Sequence, residues 1–118
     1  MTRMEIREQD KSILLEFQQD GALYVEWCDG LTRGGRELAA PEYRAKIRSM
    51  MTEALHIEKY KGSCAVEDGS LRAEVERGTG YYRITLAYVP EEDLMPWQWQ
   101  CVSDYFRPAE YEALLTEI

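Results

Sequence analysis

The chain has 118 residues, of which 45% are hydrophobic and 31% are charged, and its net charge is −8. This length suits one compact domain over residues 1–118 that buries its own hydrophobic core. The negative charge repels a phosphate backbone, so nucleic-acid binding is not expected. No apolar run approaches the roughly 20 residues of a membrane span, and the N-terminus lacks the apolar core of a signal peptide, so we expect a cytoplasmic protein without a membrane partner.

The first predicted elements are two antiparallel strands over residues 12–28, where apolar and polar residues alternate. A two-residue turn at Asp20 and Gly21 would place Glu26 in the apolar row. A three-residue loop with a left-handed Gly21 keeps that row apolar and is therefore preferred. The predicted cross-strand pairs are Phe17 with Leu23, Leu15 with Val25 and Ile13 with Trp27.

A helix is predicted over residues 41–60, after a proline suited to a first helical turn and with its end marked by Gly62. The segment before it, DGLTRGGREL, is rich in glycine and basic residues. It lacks the Gly-Lys-Ser/Thr spacing of a phosphate loop, so we interpret it as a flexible connection. The residues predicted to form the apolar face of the helix are Tyr43, Ile47, Met50, Met51, Ala54 and Ile57.

A three-stranded antiparallel meander is predicted from residue 63 to residue 89. A tight turn at Asp68 and Gly69 joins its first two strands, and a second tight turn at Gly78 and Thr79 joins the last two. One face is then wholly apolar, and the other carries a cross-strand ion pair between Glu74 and Arg83. The predicted pairs are Val66 with Leu71, Cys64 with Ala73, Val75 with Tyr82, Ala73 with Ile84, and Leu71 with Leu86.

The last third of the chain is the hardest to assign. Pro90 and the acidic residues after it are typical of a first helical turn. The segment PWQWQC fits a strand with Trp97, Trp99 and Cys101 on one face, or a helix with Trp97, Cys101 and Tyr105 in line, and Pro96 favours the strand. A short C-terminal helix follows, with one side formed by Tyr111, Leu114, Leu115 and Ile118.

The predicted fold class is α+β and mainly antiparallel. In chain order it has a hairpin, the 41–60 helix packed on one sheet face, the meander, a further strand or turn, and the C-terminal helix. The strand over residues 12–18 is expected at a sheet edge, and exposed edges are commonly paired or blocked. A symmetric homodimer would pair that edge and bury surplus aromatic side chains, so we expect a homodimer.

No catalytic or metal signature emerges, so no cofactor is expected and an enzyme is the less favoured class. Cys28, Cys64 and Cys101 are scattered and form no CxxC pair, so they are interpreted as reduced thiols in or near the core. His56 is predicted on the side of the helix away from Ile47, close to the negative helix end, where an exposed histidine is common. No pair of acidic residues stands out for acid–base chemistry. Glu91, Glu92 and Asp93 could hold Mg²⁺, but successive helical residues point in different directions, so a role in a first helical turn is preferred.

The aromatic and acidic residues of the C-terminal third give the functional hypothesis. From residue 91 to residue 118 seven acidic residues face one arginine, a net charge of −6. In size and acidity the chain is similar in type to small inhibitors, immunity proteins and secretion chaperones, without a residue-level match. We therefore expect a module that docks a basic protein partner. The predicted binding residues are Trp97, Trp99, Tyr105, Tyr111, Glu91, Glu92 and Asp93.

The alternative hypothesis is a small-molecule-binding protein, or an enzyme with an unrecognised signature. In it an aromatic pocket lies between the sheet and the helix. The residues predicted to line this pocket are Tyr82, Tyr88, Trp97 and Trp99.

Overall fold

The computed structural model describes residues 2–89 and 100–118 and places eight strands and two helices in them. Strands β1–β4 form one antiparallel sheet in the order β1-β2-β3-β4, and strands β5–β8 form a second in the order β5-β6-β7-β8. The predicted α+β class is confirmed. The elements are β1 Thr2–Glu8, β2 Lys11–Phe17, β3 Ala22–Asp29, β4 Thr32–Ala39, α1 Tyr43–His56, β5 Lys61–Ala65, β6 Leu71–Arg77, β7 Tyr82–Tyr88, β8 Gln100–Phe106 and α2 Pro108–Glu117.

The predicted register of the β2–β3 hairpin is confirmed. Phe17 pairs with Leu23, and Ile13 pairs with Trp27. Gly21 has a φ of +88°, which is the left-handed conformation that the three-residue loop requires. A Cβ at this position would also lie 2.9 Å from the Cβ of Pro41, so both conformation and space favour glycine.

Two strands of the first sheet were not predicted. β1 pairs along the whole of β2, so residues 12–18 lie inside the sheet and their prediction as an edge is wrong. β1 carries only two buried side chains, Met4 and Ile6, between charged residues. Such a short apolar alternation gives little signal in the sequence.

The glycine-rich segment before the helix forms strand β4, so its prediction as a flexible connection is wrong. Gly34 pairs with Trp27, and a Cβ on Gly34 would lie 3.0 Å from the Trp27 ring. A Cβ on Gly35 would overlap the Tyr24 hydroxyl, on the opposite sheet face. Aromatic rings from β3 thus lie across both glycines and replace the side-chain packing that glycine lacks in a strand.

Helix α1 packs against β5 and β6, as expected for the cover of one sheet face. The helix ends at His56, short of the predicted boundary at residue 60. Its end is bound by Arg77, whose guanidinium Nη1 donates to the carbonyl oxygens of Ala54 and Leu55 at 3.2 Å. Ile57 is exposed, whereas the buried face has the predicted members Tyr43, Ile47, Met50, Met51 and Ala54.

The second sheet contains the predicted meander, with one correction of register. Cys64 pairs with Ala73 as predicted, but Val75 pairs with Ile84 and not with Tyr82. The second turn lies at Thr79 and Gly80, and Gly80 has a φ of +78°. A tight turn of this kind needs glycine at its second central position, which the predicted turn at Gly78 and Thr79 does not provide.

This two-residue shift changes the predicted ion pair. Arg83 lies opposite Glu76, and their side chains are 3.1 Å apart, while Glu74 lies opposite Thr85. Because the shift is even, every residue stays on its predicted face of the sheet. The apolar face of the meander is therefore as expected, although its pairs are different.

The two sheets meet where β1 runs beside β8. The Ser103 N–H of β8 donates to the Glu8 carboxylate at the end of β1, at 2.7 Å. One hydrophobic cluster contains side chains of both sheets and both helices. Tyr111 of helix α2 and Ile118, which follows the helix, belong to this cluster.

Candidate interaction surface

Among the residues that the structure describes, Tyr105 is the most exposed aromatic residue, at 61% of its full area. It lies in β8, between neighbours held in a regular strand, and projects from the outer face of the second sheet. Its ring makes an edge-to-face contact with Tyr81, with centroids 5.6 Å apart and planes at 61°. An aromatic pair of this geometry is favourable and limits the motion of an exposed ring.

Charged residues continue from Tyr105 across the sheet. Arg83 lies between Tyr105 on β8 and Glu76 on β6, and its guanidinium is 3.1 Å from the Glu76 carboxylate. The Tyr105 side chain raises the pKa of Arg83, and the charge of Glu76 raises it further. Tyr81, Arg83, Tyr105 and Glu76 together form the Tyr105 surface.

The backbone beneath Tyr105 is held by carboxylates. The Tyr105 N–H is 2.8 Å from Asp104 Oδ1, and the Ser103 N–H is 2.7 Å from Glu8 Oε1. The Ser103 hydroxyl lies 2.7 Å from that of Thr85 on β7. Because side chains satisfy these outward N–H groups, the β8 edge is closed to a further strand at these positions.

Helix α2, which follows β8 in the chain, carries further negative charge. Its three acidic residues, Glu110, Glu112 and Glu117, are exposed. Glu110 lies in the first turn and accepts a hydrogen bond from the Arg107 N–H at 3.3 Å. A carboxylate here interacts favourably with the positive end of the helix dipole. The described part of the C-terminal third is thus acidic on its surface, in keeping with its composition.

The predicted binding residues do not all belong to one surface. Tyr111 is fully buried, its ring stacks on Tyr82 with centroids 3.9 Å apart, and its hydroxyl donates to the Met51 carbonyl at 2.6 Å. Tyr111 is therefore a core residue that a docked partner does not reach. The other predicted binding residues, Trp97, Trp99, Glu91, Glu92 and Asp93, lie outside the described residues.

The residues of the predicted aromatic pocket do not lie together either. Tyr82 and Tyr88 are both buried, but they stand six residues apart on β7, which corresponds to about 20 Å along a strand. Tyr82 stacks on Tyr111, whereas Tyr88 lies under the Arg36 guanidinium at 5.5 Å. These two tyrosines do not line a common pocket. The tryptophans predicted to join them lie outside the described residues.

The structure does contain a cleft that sequence reasoning missed. It has a volume of about 710 Å³ and lies between the end of α1, the β6–β7 turn and the start of α2. The β6–β7 register and the packing of α2 create it, and neither was available from residue spacing. The side chains that give it chemical character are His56, Lys59, Arg77, Tyr81, Tyr82 and Glu112.

The cysteines show no arrangement for nucleophilic chemistry in the part of the chain that the structure describes. All three are free, and burial raises the pKa of the Cys64 thiol and of the Cys101 thiol. A raised pKa lowers the thiolate fraction and hence the reactivity of the thiol. Among residues 2–89 and 100–118 no group of three His, Cys, Asp or Glu side chains could hold a metal ion.

Neither described helix is long and apolar enough to cross a membrane. No protein-family model and no curated protein sequence matches the chain.

Proposed function

We propose that the chain is a small acidic cytoplasmic protein that binds a basic protein partner through the Tyr105 surface. The observation that carries the proposal is the exposure of Tyr105 in an ordered strand, with its ring held edge-on by Tyr81. Exposed aromatic rings that are already ordered lose little entropy on binding and are frequent anchors of interfaces. In this proposal Trp97 and Trp99 are further anchors.

The charge distribution supports a basic partner. The chain carries a net charge of −8, and the exposed carboxylates of α2 lie in the same third of the sequence as Tyr105. Opposite potentials speed association and align the partner, while the aromatic contacts slow dissociation. In this proposal the acidic run Glu91, Glu92 and Asp93 contributes to the charged rim around the aromatic anchors.

The experiment compares capture by the wild type and by Tyr105→Ala. Each protein is immobilised and exposed to an extract of the source organism, and the retained proteins are quantified by mass spectrometry. We expect a basic protein retained by the wild type to fall by at least about tenfold with Tyr105→Ala, since truncating an interface anchor costs about 2 kcal/mol or more. Retention by the wild type should also fall at high salt concentration.

The matched control is Leu31→Ala. Leu31 is a fully exposed apolar residue in the β3–β4 turn, on the other sheet, so its loss should leave retention unchanged. Equal retention by the wild type, Tyr105→Ala and Leu31→Ala would contradict the proposal. So would a partner whose binding is insensitive to salt.

The cleft supports a second candidate function, the binding of a small molecule. Its volume of about 710 Å³ is within the range of ligand sites, and its walls combine tyrosine rings with charged groups. A ligand present at 100 times its Kd stabilises a protein by about 2.7 kcal/mol, which for a chain of this size raises the Tm by about 10 °C. Screening aromatic and cationic compounds by thermal shift tests this function.

A variant in which the cleft is filled shows whether a compound found in that screen binds in the cleft. Thr79 is exposed in the β6–β7 turn that forms one wall, so Thr79→Trp should reduce the space and abolish the shift. Glu67→Trp places the same ring in the β5–β6 turn, away from this cleft, and should leave the shift intact. A shift that persists in Thr79→Trp would exclude the cleft as the site.

A further inference from the structure

Strand β4 has an outer edge whose hydrogen-bonding groups can be assigned residue by residue. The Gln18 N–H donates to the Ala22 carbonyl, so in β3 the even-numbered residues bond to β2 and the odd-numbered residues bond to β4. Their partners on β4 are Thr32, Gly34, Arg36 and Leu38. The N–H and C=O groups of Arg33, Gly35 and Glu37 therefore point away from the sheet.

Nothing in the described residues pairs with these groups. No hydrogen bond joins the outward backbone of β4 to another element within residues 2–89 and 100–118. The β8 edge differs, because Glu8 and Asp104 bind the outward N–H groups of Ser103 and Tyr105, and the β1 edge lies beside β8. Of the two edges left, β4 has eight residues and β5 has five. The β4 edge is therefore the longer site for strand addition.

The charges along this edge are self-complementary. Arg33 and Glu37 stand two residues to either side of Gly35, and both project from the outer sheet face. Both are exposed, and neither makes an ion pair with another described residue. If a second β4 runs antiparallel with Gly35 opposite Gly35, Arg33 of each copy lies directly opposite Glu37 of the other.

We propose that two copies of this chain pair through their β4 strands in this antiparallel register, centred on Gly35. The register satisfies the backbone geometry, because Arg33, Gly35 and Glu37 all present outward hydrogen-bonding groups and an antiparallel ladder bonds such residues to each other. It joins two four-stranded sheets into one continuous sheet across a two-fold axis. This inference is independent of the Tyr105 surface.

The glycine at the centre of the strand permits this approach. The Tyr24 hydroxyl lies where a Cβ of Gly35 would stand, so a ring from β3 already covers the outer face at the centre of β4. At the two-fold axis the two Tyr24 hydroxyls come close together above the paired glycines. Because Gly35 has no side chain of its own, Arg33 and Glu37 can approach each other beside the axis.

The test reverses the charges one at a time. In Arg33→Glu each cross-strand pair becomes two carboxylates, and in Glu37→Arg each becomes two guanidiniums. Like charges directly opposite each other destabilise strand pairing, and two pairs change at once by symmetry, so the dimer Kd should rise by about tenfold or more in either variant. Sedimentation equilibrium from micromolar to millimolar concentration measures that Kd.

Mixing the two variants supplies the decisive comparison. In an equimolar mixture each heterodimer pairs a carboxylate with a guanidinium at both positions, so association should return to the wild-type level. The double variant Arg33→Glu/Glu37→Arg should also dimerise by itself. Thermal unfolding serves as the control for folding, because both side chains are exposed.

Three results would overturn the proposal. The first is a wild type that is monomeric over the whole concentration range, in which case the charges only protect the edge from strand addition. The second is a dimer that both single variants leave unchanged, which would place the interface elsewhere. The third is a mixture of the two variants that associates no better than either variant alone.

Discussion

Replacing Tyr111 by alanine is expected to lower the free energy of unfolding by about 4 kcal/mol, the cost of removing a large aromatic side chain from a core. The Tyr111 ring is fully buried and stacks on Tyr82 at 3.9 Å with nearly parallel planes. Its hydroxyl also donates a hydrogen bond to the Met51 carbonyl, which links α2 to α1. Chemical denaturation followed by circular dichroism measures the change.

A second variant separates the contributions of the ring and the hydroxyl, and a third serves as a surface control. Tyr111→Phe keeps the ring and removes one hydrogen bond, so it should cost about 1 kcal/mol. Tyr105→Ala removes a tyrosine of the same size from the surface and should lower the stability by no more than about 1 kcal/mol, the size of the lost contact with Tyr81. Similar losses in Tyr111→Ala and Tyr105→Ala would contradict the assignment of Tyr111 to the core.

Tyr111 also shows how sequence patterns lead to two opposed predictions for one residue. Its spacing with Leu114 and Ile118 predicts the apolar face of a helix, and that face is confirmed. Its aromatic character in an acidic region made it a candidate binding residue as well. Tyrosine suits both environments, so composition could not decide. The helical spacing was the better guide.

The two hairpins show when alternation fixes a register and when it does not. For β2 and β3 the competing loops differ by one residue, and one of them moves Glu26 into the apolar row, so the pattern excludes it. For β6 and β7 the competing turns shift the pairing by two residues and keep every side chain on its face. Only the left-handed requirement at Gly80 separates them.

Strands β1 and β4 are stabilised by neighbours that the sequence alone does not reveal. β4 has two adjacent glycines, which normally disfavour a strand, and the rings of Trp27 and Tyr24 compensate for them. Those rings belong to β3, and their positions over the two glycines follow only from the β3–β4 register. Context of this kind overrides local propensity.

The candidate surface could be predicted only in part. The alternation of Val102 with its neighbours places Tyr105 on the outer face once β8 is known to be a strand, and the exposure of Tyr105 agrees with its proposed role. Its contact with Tyr81 depends on the β7–β8 pairing, which spacing did not provide. The proposed roles of Trp97 and Trp99 still rest on the sequence.

The chain is expected to lose stability steeply in alkaline solution. Burial raises the pKa of Tyr43, Tyr88 and Tyr111 above the ordinary value of 10.0. The folded state therefore holds protons that the unfolded state releases above about pH 10, and stability falls as pH rises beyond that point. A group whose folded pKa lies far above the solution pH contributes up to about 1.4 kcal/mol per pH unit, so Tyr43 and Tyr111, whose pKa values are raised most, together give a slope of up to about 3 kcal/mol per pH unit. Below the unfolded pKa the stabilisation is fully present.

Urea denaturation at a series of pH values above 9, with tyrosinate absorbance as a second signal, measures this slope. Tyr43→Phe removes one titrating group, together with the hydrogen bond from its hydroxyl to the Cys64 carbonyl at 2.8 Å. It should lower the stability at neutral pH and reduce the alkaline slope by up to about 1.4 kcal/mol per pH unit. Ile47→Val on the same helix face costs about 1 kcal/mol by packing alone and should leave the slope unchanged. If both variants change the slope equally, the loss at high pH does not arise from proton release by buried tyrosines.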